Sequence, residues 1–140
     1  MPLKDIKKGC EAKGLRLTTS RQDVYEIIEK SDKPIGAYEI LEKLSLIHSA
    51  SKPPTVYRAL DFLIKHNFIH RIESLNAYII CEEDHAHHGS QFIVCDKCTR
   101  VEEIHLCHLP KEIDSRLSDT KFQMLYWNTE IHGLCQACQK

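Results

Sequence analysis

Lys52-Pro53-Pro54-Thr55-Val56-Tyr57-Arg58-Ala59-Leu60-Asp61-Phe62-Leu63, followed by two β-like runs at Phe68-Ile69-His70-Arg71-Ile72 and Ala77-Tyr78-Ile79-Ile80-Cys81, decides how this chain folds. Prolines suit a first helical turn, where the N–H groups have no intrahelical acceptor. Val56, Ala59, Leu60, Leu63 and Ile64 recur at helical spacing as one apolar face, which predicts a helix over 53–66. Tyr57, Asp61 and Lys65 share another face, with Arg58 beside them. The two later runs, joined by Glu73-Ser74-Leu75-Asn76, read as a hairpin. Upstream, apolar stripes predict helices over 3–13, 18–30 and 36–47, the second capped by Thr18, Thr19 or Ser20 and the last two separated by a break at Asp32-Lys33-Pro34. Helices followed by a hairpin are the order of a winged-helix domain, a helix-turn-helix variant that binds DNA.

Composition is that of an ordinary globular chain: 42% hydrophobic and 28% charged over 140 residues. No apolar run approaches the roughly 20 residues that span a bilayer, and Met1–Gly14 has no signal-peptide core. The expected location is the cytoplasm, without membrane partners. The net charge of −1 is divided unevenly. Residues 1–80 carry 13 Lys+Arg against 10 Asp+Glu, and residues 81–140 carry 6 against 10. Such a modest basic excess means that DNA binding must rest on placed contacts rather than on a strong field.

Seven cysteines and nine histidines are many for this length. In a reducing compartment they favour metal ligation over disulfides. Cys95-Asp96-Lys97-Cys98 and Cys135-Gln136-Ala137-Cys138 form two C-x-x-C pairs. Four thiolates suit tetrahedral Zn²⁺ and leave no open position, the mark of a structural site. The intervening 36 residues must then hold a helix and strands. Strands are expected at Gln91–Cys95, Val101–His105 and Phe122–Ile131, with a helix at Pro110–Ser118. A module this small usually needs a metal or a partner chain for stability. The fold class is therefore α+β: a winged helix over 1–81, a polar histidine-rich hinge over 82–90, and a small α/β zinc domain over 91–140.

A second cluster flanks the hinge: His70, Cys81, His85, His87, His88, Glu102, Glu103 and His105. One thiolate with imidazoles and a carboxylate describes a mixed zinc site. Metal bound there would set the relative orientation of two domains. Cys10 and Cys107 read as small buried apolar residues. His105, His108 and His132 stay open between metal binding and ordinary roles. The closed cysteine site, with no nucleophile–base pair, argues against an enzyme or a small-molecule substrate.

Leu15-Arg16-Leu17-Thr18-x-x-Arg21, the Lys52–Leu63 run and the two C-x-x-C pairs resemble the ferric uptake regulator family over nearly the whole chain. Ala77–Cys81 and His132-Gly133-Leu134-Cys135-x-x-Cys138 are similar to its zinc-sensing members. The resemblance implies a homodimer whose second domain dimerises, and repression of zinc-uptake genes when zinc is plentiful. It implies two zinc ions per subunit: a structural one on Cys95, Cys98, Cys135 and Cys138, and a regulatory one on His70, Cys81, His88 and Glu103. The run Asp84-His85-Ala86-His87-His88 departs from the iron-sensing pattern, leaving open whether His85 or His87 substitutes for His88 or builds another site.

On DNA, the helix opened by Pro53 enters the major groove. Arg58 can donate two hydrogen bonds to a guanine, and Tyr57 can pack on a thymine methyl. Lys52, Thr55, Lys65 and Arg21 are placed for phosphates, and Tyr38 for a base or the backbone. An iron or peroxide sensor is the competing reading, disfavoured by the Cys81 thiolate. A zinc-storage protein without DNA binding would leave Thr55-Val56-Tyr57-Arg58 unexplained.

Overall fold

The Pro53-Pro54 turn opens a helix in the computed structural model, which describes residues 3–81, 89–104, 106 and 108–139. This helix, α4 (Pro53–Lys65), follows α1 (Leu3–Ala12), α2 (Thr19–Lys30) and α3 (Ala37–Ile47). Its Val56, Ala59, Leu60 and Leu63 are buried at i, i+3, i+4 and i+7. They pack with Ile6 and Cys10 of α1, Val24, Tyr25, Ile27 and Ile28 of α2, and Ile40 and Leu44 of α3 in one core. Thr18 caps α2, its hydroxyl accepting from the Arg21 N–H at 3.3 Å.

Two helices end in the same way. After α1, Gly14 takes a φ of +67° while Leu15 N–H reaches Cys10 C=O at 2.8 Å and Gly14 N–H reaches Glu11 C=O at 3.2 Å. After α4, Asn67 takes φ +62° with the matching bonds Phe68 to Leu63 and Asn67 to Ile64. Both are Schellman caps, which satisfy orphan carbonyls and reverse the chain. The second one launches β1 (Ile69–Ile72), which pairs antiparallel with β2 (Ala77–Ile80) through a 3₁₀ turn at Glu73–Leu75 closed by left-handed Asn76. Ile35 adds a bridge to Tyr78, which joins the hairpin to the segment between α2 and α3.

The chain divides into two compact units, Met1–His85 and Ala86–Lys140. The second contains β3 (Gln91–Cys95), β4 (Val101–Glu103), α5 (Lys111–Asp119) and β5 (Thr129–Gly133). Its sheet has the order β4-β3-β5, with β4 antiparallel and β5 parallel to the central strand. The parallel pairing requires a crossover, which α5 occupies. Gly89, at φ +117°, lies so close to the Trp127 carbonyl that an added Cβ would sit 1.8 Å from its oxygen. Beside it, Ser90 N–H donates to Asn128 Oδ1 at 2.9 Å. Of the expected strand over 122–131 only the last three residues are extended in the sheet, and β5 runs on to Gly133. Five-residue β3 offers partners only from residue 129 onward, and Phe122, Leu125 and Tyr126 stay exposed and unpaired in the sheet. Among the described residues no helix is long and apolar enough to cross a membrane.

Candidate functional site

The parallel register converts a long sequence gap into adjacency. Cys95 of β3 lies opposite Gly133 of β5, and Asp96 N–H bonds Gly133 C=O at 2.9 Å. Two residues later Cys135 arrives beside Cys95, its N–H donating to Cys95 Sγ at 3.4 Å. A turn with Thr99 at φ +62° curls Cys98 back, and a 3₁₀ turn over Gln136–Cys138 does the same for Cys138. The four sulfurs all lie within 4.8 Å of one another, and Cys98 Sγ is 3.8 Å from Cys135 Sγ. A tetrahedron with metal–sulfur bonds of about 2.3 Å has edges of about 3.8 Å. The donor set and this spacing fit a zinc ion.

The electrostatics agree. The Cys135 N–H, then that of Cys98, draw the Cys95 thiol down to about 6. The hydrogen bond from Cys138 to Cys135, and then burial, push the Cys138 thiol up to about 12. Backbone donors thus favour one thiolate, while its neighbours hold back another. A divalent cation lets such a set ionise together. His132 stays outside this cluster: its Nδ1 lies 2.7 Å from Asp96 Oδ1 and its Nε2 3.8 Å from Glu130 Oε2. The Asp96 hydrogen bond raises its pKa.

In the first unit, His70 pairs with Ile79 across the hairpin, and Cys81 N–H reaches Phe68 C=O at 3.0 Å. His70 and Cys81 are thus diagonal neighbours on one face. Both are buried, and the His70 ring nitrogen and Cys81 sulfur come within 4.8 Å. An imidazole and a thiol at that separation offer two of the ligands a tetrahedral zinc needs. Glu103 ends β4 in the second unit, opposite Phe92. His85, His87, His88, His105 and Cys107 lie outside the described residues. Cys10 is a core residue, its thiol pushed up by burial.

On α4, Tyr57 and Arg58 are exposed at the end opened by the prolines, as is Lys52 before it. Thr55 is half-buried and Lys65 exposed at the far end. Among the described residues Arg58 has no ion pair with Asp61 or Glu42, and its side chain is exposed. Tyr38, 82% exposed at the start of α3, lines with Tyr57 a shallow recess floored by Leu41 and Val56. Arg21 differs from these. Its guanidinium stacks on the Phe62 ring at 3.7 Å and donates to Arg16 C=O at 2.6 Å.

Residues 12–132 match the Ferric uptake regulator family. The chain belongs to this family. It is 36% identical over 137 residues to the zinc uptake regulation protein of Escherichia coli (strain K12), covering 97% of this chain and 80% of that protein. Among solved structures it is similar to a zinc uptake regulator complexed with zinc and DNA, with TM-score 0.87 and 35% identity over 97% of this chain and 91% of that one. Holo XcZur is similar at TM-score 0.83 and 36% identity, over 97% and 95% of the two chains.

Two features of this family member escaped the sequence reading. The Arg21–Phe62 stack joins residues 41 positions apart, and no local pattern announces it. The His132–Asp96 pair joins β5 to the first C-x-x-C turn across 36 positions, again without a local pattern.

Proposed function

We propose that this protein is a zinc-responsive transcriptional repressor that binds palindromic operators of zinc-uptake genes as a homodimer in the cytoplasm. The observation that carries the reading is the buried His70–Cys81 pair at the end of the wing, a soft mixed donor set separate from the closed cysteine cluster. A thiolate there favours zinc over ferrous iron. Similarity to zinc uptake regulators, one of them in complex with zinc and DNA, supports the same reading.

Each subunit takes two zinc ions. Cys95, Cys98, Cys135 and Cys138 hold the structural ion, and His70, Cys81, His88 and Glu103 the regulatory one. Zinc supplies divalent charge and a tetrahedral template. Residues 1–81 bind DNA, 82–90 act as the hinge and 91–140 dimerise. Support for dimerisation comes from the second unit. Its α5 buries none of its residues, and Ile113, Phe122, Leu125, Tyr126 and Ile131 are all exposed in the single chain. Apolar surface of this kind marks a protein interface.

Regulation follows from a population shift. When His70, Cys81, His88 and Glu103 are drawn together, the two winged helices are held where their recognition helices match successive half-sites. The competent fraction rises, and apparent operator affinity rises with it. Arg58 and Tyr57 read bases from α4, while Lys52, Thr55 and Lys65 contact phosphates and Tyr38 lies alongside. Arg58→Ala is expected to weaken operator binding by about 1–3 kcal/mol and relax specificity at one base position. Competition binding against a set of singly substituted operators checks this. Uniform weakening across the set would move Arg58 to the phosphates.

A further inference from the structure

Arg21 occupies the third position of α2, in the first helical turn. A cation there faces the positive end of the helix dipole, a disfavoured placement. Something must offset it, and no carboxylate among the described residues pairs with Arg21. Its two partners are instead the Phe62 ring, 3.7 Å from the guanidinium carbon, and the Arg16 carbonyl, 2.6 Å from Nη1. The Phe62 ring is itself packed against the His66 ring at 4.8 Å and the Phe68 ring at 6.5 Å between centroids. One side chain therefore joins the turn after α1, the start of α2 and the last turn of α4.

What Phe62 shares with the DNA-reading surface is its position. Arg58 lies four residues earlier, one turn N-terminal on the same side of α4. A rotation of α4 about its axis would move the two together. The buried stripe of Val56, Ala59, Leu60 and Leu63 sets that rotation from the core side. The stack on Phe62 sets it from the outer side.

We infer that Arg21 is a positioning residue for operator recognition: by stacking on Phe62 and bonding the Arg16 carbonyl, it fixes the face of α4 that presents Arg58. This rests on the DNA-binding reading above. It assigns Arg21 a role other than a phosphate contact, and the two roles differ in a measurable way. A lost phosphate contact lowers the slope of log affinity against log salt by about 0.9, because fewer counterions are released. A lost positioning contact leaves that slope unchanged. Lysine replaces a phosphate contact well but lacks the planar stacking face.

The test uses the full-length, zinc-loaded protein and a palindromic duplex selected by the wild type from a randomised pool. Affinity is measured over a series of salt concentrations for the wild type, Arg21→Gln, Arg21→Lys, Phe62→Leu and the Arg21→Gln/Phe62→Leu pair. The expected result is a loss on the order of tenfold for both Arg21 variants, the size of a cation–π contact together with its hydrogen bond. The salt slope stays at the wild-type value, and the double variant is no weaker than the worse single one. Rescue by Arg21→Lys together with a shallower slope for Arg21→Gln would make Arg21 a phosphate contact. Unchanged affinity with a lowered melting temperature would make it structural only. Either outcome overturns the inference. Failure of the wild type to select any duplex would instead count against the DNA-binding reading itself.

Discussion

Cys98→Ser is expected to unfold the second unit and abolish the dimer. Among its described residues this unit buries few apolar side chains, Phe92, Val94 and Cys95 foremost. A module of this size is marginal on burial alone. Structural zinc sites contribute about 10–16 kcal/mol in zinc-finger peptides at neutral pH. That is as large as the whole stability of an ordinary small domain, about 5–15 kcal/mol, so its loss is enough to unfold one. Cys98 and Cys135 already sit at the 3.8 Å edge of the sulfur cluster, and all four sulfurs lie within 4.8 Å of one another, so Cys98→Ser removes one of four gathered donors. Sedimentation should show a monomer, and amides of β3 and β5 should lose protection from hydrogen exchange. The helical core of the first unit, which shares none of these cysteines, should keep its protection. A folded Cys98→Ser dimer would show that the cluster is dispensable for folding.

The second large effect is expected from Cys81→Ser, and it has the opposite character. Cys81 is buried at the end of the wing hairpin, outside the helical core cluster. Serine is close in size, so the hairpin should persist, and the dimer should sediment as the wild type does. The soft donor is lost, and with it the preference for zinc. Coupling between ligands in regulatory proteins is typically 1–3 kcal/mol, or about 5–150-fold in affinity. Cys81→Ser should forfeit that gain and bind operator weakly whether or not zinc is present. By linkage, operator DNA should also cease to tighten zinc binding. Zinc-dependent operator binding by Cys81→Ser would remove Cys81 from the regulatory site.

How much of this was legible from the residues depends on the range of each contact. Helix α4 was plain because its signals are local: prolines at the start, an apolar stripe at helical spacing, and the switch to short β runs after Asn67. The cysteine cluster was legible as a composition, since paired C-x-x-C turns have few other uses. The way the two pairs are brought together was not, because it depends on the parallel register that sets Cys95 opposite Gly133. The strand expected over 122–131 failed for the same reason. Phe122, Leu125 and Tyr126 have strand-like side chains, but strand formation needs a partner, and in the parallel register β3 begins only opposite Thr129. Arg21 reads as a phosphate contact from its place at the start of the second helix, and its stack on Phe62 has no local signal. The ring that holds it lies on another helix. The Asp96 partner of His132, 2.7 Å away, lies 36 positions earlier and had no local signal.

The central claim is that zinc, through residues of the wing, controls operator binding. Fluorescence anisotropy on an AT-rich palindromic operator tests it most directly, with free zinc buffered from picomolar to nanomolar and ferrous iron titrated in parallel. The wild type should gain about 5–150-fold in operator affinity over a narrow range of free zinc, and iron should not reproduce the gain. Operator affinity that is the same at every zinc level, or that rises with iron and not with zinc, would contradict the account.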